Sequence, residues 1–226
     1  MASLEDLFKE AGEDNFATNI VKLADSKDFP TWDQCDTPEE KGLNTWLNMI
    51  VKESGDHVKP ILSAAVAAGR YAHPIALKGA GKDNATNLRF DKDHDFNPPA
   101  SRMDYDGYSE MEKLDAVEAW YKDPSQKNLD AVLIAPDKTR QMNTWDPGMK
   151  PGPDRMWQWF TEVGQLCAMG ITNHQDGTDA EGPEGWPRSQ CAIRSVIAAY
   201  KSIQQPEGDR AKELNALGKA IFKGFE

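Results

Sequence analysis

The stretch TPEEKGLNTWLNMIVKES at 37–54 restricts the fold most, because its apolar residues follow the period of an α-helix. Thr37 suits the capping position before a helix, and Pro38 suits the first helical turn. Five apolar residues then recur at intervals of three and four positions: Leu43, Trp46, Leu47, Ile50 and Val51. This spacing places them on one face. The sequence therefore predicts a helix that buries this face and ends at Ser54 and Gly55.

Helical spacing of apolar residues recurs in segments that begin near residues 3, 15, 56, 109, 126, 154, 187 and 210. No stretch carries a β-strand signal of comparable quality. Even the apolar run AVLIA at 131–135 lies among residues that favour a helix. The sequence therefore predicts a mainly α protein with a helical core of about seven to nine helices.

Three stretches lack helical spacing and are rich in turn-forming or acidic residues: 79–108, 141–153 and 171–186. They predict long irregular loops, which in a compact protein are often functional.

Two helix ends are also predicted from single residues. Pro74 predicts that the helix beginning near residue 56 ends at Ala72 or His73, because a proline disfavours helical backbone before it. Gly170 predicts the end of the helix beginning near residue 154.

Short amphipathic helices at both ends predict an N-terminal arm at 1–30 and a C-terminal arm at 206–226, flanking a core at 31–205. Each arm has a narrow apolar face, so it needs a surface on which to dock. Two arrangements are open. The arms could pack on neighbouring copies, which would generate rings or filaments, or on the body of their own chain.

The charges are distributed unevenly along the chain. It has 37 acidic and 26 basic residues and a net charge of −11, which repels nucleic acid at long range. Residues 57–82 nevertheless contain no acid, and basic residues elsewhere lie among tryptophans. Basic groups that contact phosphates and aromatic planes that stack on bases are typical of single-strand binding. The predicted nucleic-acid-binding residues are Lys59, Arg70, Tyr71, Lys78, Lys82, Arg140, Lys150, Arg155, Arg188, Arg194 and Lys201. The alternative is an ordinary basic surface that balances acidic neighbours.

These features together predict a self-assembling structural protein of coat or nucleocapsid type. It would pack single-stranded nucleic acid in a basic groove, and its terminal arms would link copies of the same chain. No enzyme activity and no cofactor are expected, because no nucleophile motif occurs. The sequence KGAGKD also departs from a phosphate-binding loop, with Ala76 and Asp83 at positions that require Gly and Ser or Thr.

Two other functions stay open from the sequence. The first is a metal-dependent enzyme with a site built from the loops 79–108 and 171–186. Imidazole and carboxylate groups there suit several divalent metals, and the candidate ligands are His94, Asp95, His174 and Asp176. The second is an acidic helical adaptor whose terminal helices dock in the groove of a partner.

The cysteines indicate the compartment. Cys35, Cys167 and Cys191 are odd in number, and no pair has C-x-x-C spacing, so free thiols in a reducing compartment are expected. The N-terminus lacks the pattern of a secretory signal, and no apolar stretch approaches the roughly 20 residues that span a bilayer. We therefore expect no membrane partner and a cytoplasmic, intracellular protein, which a coat function would also place in a virion.

Overall fold

The computed structural model describes residues 4–55, 58–79, 108–134, 153–172 and 188–225. These parts contain nine α-helices, one short 3-10 helix at Glu13–Asn15 and no strand, so the predicted mainly α fold is confirmed. The α-helices are α1 (Leu4–Ala11), α2 (Phe16–Val21), α3 (Pro38–Glu53), α4 (Lys59–Gly79), α5 (Tyr108–Lys122), α6 (Gln126–Ile134), α7 (Pro153–Thr172), α8 (Arg188–Ile203) and α9 (Arg210–Phe225).

Helix α3 begins and ends where its sequence predicts. The Thr37 side chain accepts a hydrogen bond from the Glu40 backbone N–H at 3.3 Å, which satisfies one of the free donors of the first turn. Pro38 is the first helical residue. At the other end Gly55 has a φ of 68°, a left-handed conformation that glycine adopts without steric cost. Local chemistry therefore sets both ends of this helix.

Helix α4 is the central helix, and it packs on α5, α7, α8 and α9. Small residues allow this close packing: a Cβ atom on Gly69 would lie 2.7 Å from Leu114 Cδ1 and 2.9 Å from Val163 Cγ1. An acidic side chain on the buried face of α4 would lack a partner, at a large cost in free energy. This cost explains why that face contains no carboxylate, but it does not restrict the exposed positions Lys59, Arg70, Pro74 and Lys78.

The predicted break before Pro74 is wrong, because α4 continues through this residue to Gly79. Pro74 lies on the exposed side of the helix, whereas Ala76, two residues later, is fully buried. A proline inside a helix removes one backbone hydrogen bond. Burial of the last turn of α4 in the core offsets that loss and keeps the chain helical.

The predicted end of α7 at Gly170 is also wrong, because α7 continues to Thr172. Gly170 lies where α7 approaches its neighbours: a Cβ atom there would lie 2.9 Å from Leu62 Cδ2 and 3.2 Å from Ala192 Cβ. This glycine therefore provides room for helix packing and does not terminate the helix. Helical spacing predicts that Met156, Trp157, Phe160, Val163 and Cys167 face inward on α7. Four of them are buried, and the Trp157 side chain lies outside the described set.

Both terminal helices pack on their own chain through an aromatic cluster, which consists of Phe8 of α1, Phe16 of α2, Trp46 of α3 and both Phe222 and Phe225 of α9. The ring centroids of Phe8 and Phe225 are 4.5 Å apart, and those of Phe16 and Trp46 are 5.1 Å apart. The Trp46 indole N–H donates to the Leu7 carbonyl at 3.3 Å. Of the two predicted arrangements, the chain shows its arms docked on its own body.

The three predicted loops lie almost entirely outside the described residues. At their edges Gly79, Tyr108, Pro153 and residues 171–172 are helical. Among the described residues, no helix combines the length and the apolar character that crossing a lipid bilayer requires.

Candidate nucleic-acid interface

Lys201 of α8 is buried in an ion-pair cluster with Asp36 and Glu40, and its side chain is not at the surface. Its Nζ atom lies 2.9 Å from Asp36 Oδ2, 3.0 Å from Glu40 Oε2 and 4.6 Å from the centroid of the Trp159 ring. Glu40 is 1% exposed, and its second oxygen accepts from Gln204 Nε2 at 3.0 Å. Internal carboxylates therefore neutralise the Lys201 charge. Although Lys201 was among the predicted nucleic-acid-binding residues, its ammonium is not available to a phosphate.

The two arginines of α8 also contact the body of the protein. The half-buried Arg188 donates from Nε and Nη2 to the Ile171 carbonyl, at 3.2 and 2.5 Å, and burial lowers the pKa of its guanidinium. The Arg194 guanidinium lies 5.3 Å from the centroid of the Trp32 ring, a cation–π geometry. Helix α8 therefore does not present the row of basic side chains that its sequence predicts.

Arg70 of α4 pairs with two carboxylates of α5. Its Nη2 atom lies 2.6 Å from Asp115 Oδ1, and it also contacts Glu118. Burial alone would raise the pKa of Glu118, but hydrogen bonds from Lys122 and Arg70 outweigh it and lower that pKa. The guanidinium charge is thus offset by the neighbouring helix, although α4 itself contains no acid.

Two of the predicted lysines, Lys59 and Lys78, remain exposed on α4, and neither forms an ion pair with a carboxylate of the described residues. Helix α9 runs antiparallel along this helix. The Ser63 hydroxyl donates to the Gly224 carbonyl, and a Cβ atom on Gly79 would contact Gln205, just before α9. The two lysines therefore lie at opposite ends of the α4/α9 pair.

Helix α9 adds three exposed lysines, Lys212, Lys219 and Lys223, which we call the lysine row. They are seven and four residues apart, so they share one face and are separated by about 10 and 6 Å along the axis. The buried residues of α9 lie on the opposite face: Leu214, Leu217 and Ile221. Lys219 lies 3.3 Å from Asp14, whereas Lys212 and Lys223 pair with no carboxylate of the described residues.

Sequence reasoning missed the lysine row, although its spacing was visible in the sequence. Tyr71, by contrast, was predicted and does lie at this surface, half-buried where α4 meets α9. Burial raises the pKa of its hydroxyl, and the nearby Glu213 of α9 raises it further. The structure therefore places Lys59 and Lys78 near the two ends of the α4/α9 pair, with Tyr71 between them. Arg70 of the same helix pairs with α5 instead, and the cations of α8 contact the protein's own groups.

Several candidates lie outside the described residues: Lys82, Arg140 and Lys150, and the metal-ligand candidates His94, Asp95, His174 and Asp176. Arg155 belongs to α7, but its side chain is also outside the described set. Within the described ranges, no group of three or more His, Cys, Asp or Glu side chains is placed to hold a metal ion.

All three cysteines are buried free thiols. Burial raises the pKa of Cys35 to about 12, and the carboxylate of Glu40 contributes in the same direction. A thiol with so high a pKa stays protonated at neutral pH and is a poor nucleophile. Cys35 is therefore a packing residue of the core.

The part of the described surface that bears on nucleic-acid binding is a set of exposed lysines on two antiparallel helices, with the half-buried Tyr71 on one of them. The chain matches no protein-family model, no curated protein and no solved structure.

Proposed function

We propose that this chain is a self-assembling structural protein of coat or nucleocapsid type that binds single-stranded nucleic acid on the surface of α4 and α9. One observation supports the proposal. Lys212 and Lys223, with Lys59 and Lys78 at the two ends of the helix pair, are exposed and have no carboxylate partner among the described residues. In a chain of net charge −11, unpaired lysines on one helix pair offer phosphates the basic contacts that single-strand binding uses.

The acidic remainder of the chain limits how strongly one subunit binds. The carboxylates repel a nucleic acid over one Debye length, ~8–10 Å. Lysines in direct contact with phosphates therefore overcome this repulsion only in their immediate surroundings. We therefore expect weak binding by a single copy. Linked copies on one strand bind by avidity, because each later contact is intramolecular. Because a single copy binds weakly, stable binding requires several linked copies, and this is the physical reason for coupling nucleic-acid binding to self-assembly.

The proposal differs in two respects from the one drawn from sequence. The binding surface moves from α4 and α8 to α4 and α9, because Arg188, Arg194 and Lys201 contact the protein's own groups. The linkage between copies moves away from the terminal arms, because α1 and α9 already bury their apolar faces on their own chain.

The double variant Lys212→Glu/Lys223→Glu tests the nucleic-acid surface. A fluorescent single-stranded oligonucleotide is titrated with each protein at several salt concentrations. We expect the variant to bind at least about tenfold more weakly at low salt. The slope of log affinity against log salt should fall by about 1.4, because each lost phosphate contact on a single strand contributes about 0.7.

The matched control is Lys27→Glu/Lys127→Glu, which changes the net charge equally at exposed lysines outside α4 and α9. It should bind more weakly only through the long-range field and should keep the wild-type salt slope. The proposal is refuted if both double variants bind equally well, or if the wild-type protein binds no oligonucleotide at low salt.

A further inference from the structure

Glu213 is the only acidic residue of the two helices that carry the proposed binding surface. Helix α4 contains no Asp or Glu, and α9 contains Glu213 alone. This glutamate directly follows Lys212 of the lysine row. A phosphate that reaches the lysines of α4 and α9 therefore meets one carboxylate that belongs to the same helix pair.

The Glu213 side chain lies on the side of α9 that faces α4. It precedes Gly224 by eleven residues, about three helical turns, so the two residues share a face. A Cβ atom on Gly224 would lie 2.8 Å from Ala67 Cβ, so this face is turned toward α4. Burial raises the pKa of the Tyr71 hydroxyl of α4, and the Glu213 carboxylate raises it further. Glu213 therefore borders the tyrosine that lies between Lys59 and Lys78.

Hydrogen bonds compensate the charge of the half-buried Glu213 only in part. Its Oε1 atom accepts from the Gln205 backbone N–H at 3.1 Å. Its Oε2 atom is buried and accepts no hydrogen bond from the described part of the chain. A buried oxygen of this kind favours the neutral acid over the carboxylate, because only the charged form loses a large hydration energy.

The charged and titratable groups around Glu213 come from three helices and the turn before α9. They are Asp209, Arg210, Lys212, Tyr71 of α4 and Tyr200 of α8. Burial and Asp209 raise the pKa of Glu213 more than the Gln205 N–H and Arg210 lower it. Glu213 therefore takes up a proton at a higher pH than an ordinary surface glutamate does.

We propose that Glu213 regulates the surface of α4 and α9: its carboxylate weakens the binding of a phosphate strand at neutral pH, and its protonation strengthens this binding at acid pH. The inference rests on the proposed function, since it names how the same surface is regulated. A phosphate repels the carboxylate and does not repel the neutral acid. The affinity therefore rises as the pH falls through the titration range of Glu213, and it levels off below that range.

The variant Glu213→Gln tests this regulation, because it keeps an acceptor for the Gln205 N–H and carries no charge. Each protein is titrated into a fluorescent oligothymidine, whose bases do not take up protons in acid, between about pH 8 and about pH 5 at one low salt concentration. Repulsion between a carboxylate and a phosphate about 7 Å away in water corresponds to about a threefold loss of affinity. The variant should therefore bind about threefold more tightly than the wild type at the higher pH, and the two affinities should converge at the lower pH.

The matched control is Glu112→Gln, which removes the same charge from a half-buried glutamate of α5, outside the helix pair. It should bind slightly more tightly than the wild type through the long-range field alone, and it should keep the wild-type dependence on pH. Circular dichroism at each pH establishes that all three proteins are folded.

Linkage between the proton and the strand provides a second measurement on the wild-type protein. If protonation strengthens binding, the bound strand must favour the protonated carboxyl to the same extent. The pKa of Glu213, followed by carbon-13 NMR of the glutamate side chains, should therefore rise when oligothymidine saturates the protein. The pKa of Glu112 should stay constant. This measurement keeps the test decisive if Glu213→Gln alters the packing of α9.

Failure of this regulation can be told apart from failure of the proposed function. The inference alone is overturned if the wild type binds oligothymidine through Lys212 and Lys223, but Glu213→Gln differs from it by the same factor at every pH. A pKa of Glu213 that stays constant on binding overturns it as well. Absence of wild-type binding across the whole pH range overturns the proposed function and this inference together.

Discussion

Lys201 Nζ lies 3.0 Å from Glu40 Oε2, and both side chains are almost completely buried where α8 packs on α3. Removing the ammonium would leave a carboxylate buried without its cation. We therefore expect Lys201→Met to destabilise the protein by about 3–5 kcal/mol in urea unfolding. Lys201→Met/Glu40→Gln should recover part of this loss, because the remaining group is neutral.

Lys201→Met, Glu40→Gln and their double variant form a double-mutant cycle. Lys127→Met, at an exposed lysine, is the control for this cycle and should change the free energy of unfolding by less than about 0.5 kcal/mol. If the free-energy changes of Lys201→Met and Glu40→Gln simply add in the double variant, the two charges are not coupled and the cluster is not an energetic unit.

Gly42 of α3 lies against the backbone of α2, and a Cβ atom on it would overlap the Ile20 carbonyl oxygen. Helix propensity alone favours alanine over glycine by about 1 kcal/mol. Steric overlap with a backbone atom outweighs this gain, since the backbone cannot rotate away as a side chain can. We expect Gly42→Ala to cost about 1–3 kcal/mol in thermal or urea unfolding.

Gly55 provides the comparison for that substitution. A Cβ atom there meets nothing within 4 Å, and only its φ of +68° disfavours another residue. Gly55→Ala should therefore cost about 1–2 kcal/mol through backbone conformation alone, and Gly55→Asn should cost less. An increase in stability on Gly42→Ala would show that α2 and α3 do not approach this closely.

Glu213 is half-buried near the start of α9, and its pKa is raised above the ordinary value of 4.5, chiefly by burial and further by Asp209. The folded protein therefore holds this proton more tightly than the unfolded chain does. Protonated Glu213 stabilises the fold at acid pH, and this contribution is lost as the pH rises from 4.5 through the raised pKa.

We expect Glu213→Gln to be more stable than the wild type at neutral pH, by less than about 1 kcal/mol because solvent screens a half-buried carboxylate. The amide oxygen can still accept from the Gln205 backbone N–H, which donates to Glu213 Oε1 at 3.1 Å. The two urea midpoints should converge at acid pH. A difference independent of pH would contradict the raised pKa.

Deletion of residues 207–226 distinguishes the C-terminal arm that the sequence predicts from the docked helix that the structure shows. An arm held by neighbouring copies could be removed without harm to the body. In the structure α9 fully buries Leu214, Leu217 and Ile221 in the common core. Loss of three such side chains removes about 5–9 kcal/mol, which is comparable to the whole stability of a domain.

We therefore expect the truncated chain to lose cooperative thermal unfolding, as measured by circular dichroism. A truncated chain that unfolds cooperatively near the wild-type midpoint would show that the body folds without α9. That outcome would restore the C-terminal helix as an arm available to other copies.

The sequence by itself determined the helical class and the local chemistry of individual helices. Thr37, Pro38 and Gly55 act within a few residues of their own positions, so their effects on the ends of α3 can be predicted from neighbouring residues. The inward faces of α3, α7 and α9 follow in the same way from the spacing of their apolar residues.

Only the tertiary structure decided which charges reach the surface. Lys201 pairs with Asp36, 165 residues away along the chain, and Arg70 pairs with a helix that begins 38 positions later. Helical periodicity predicts the direction in which a side chain leaves its helix, but it does not predict which group of another helix that side chain contacts. Neutralisation of a charge depends on contacts between helices that are distant in sequence, and packing alone creates these contacts.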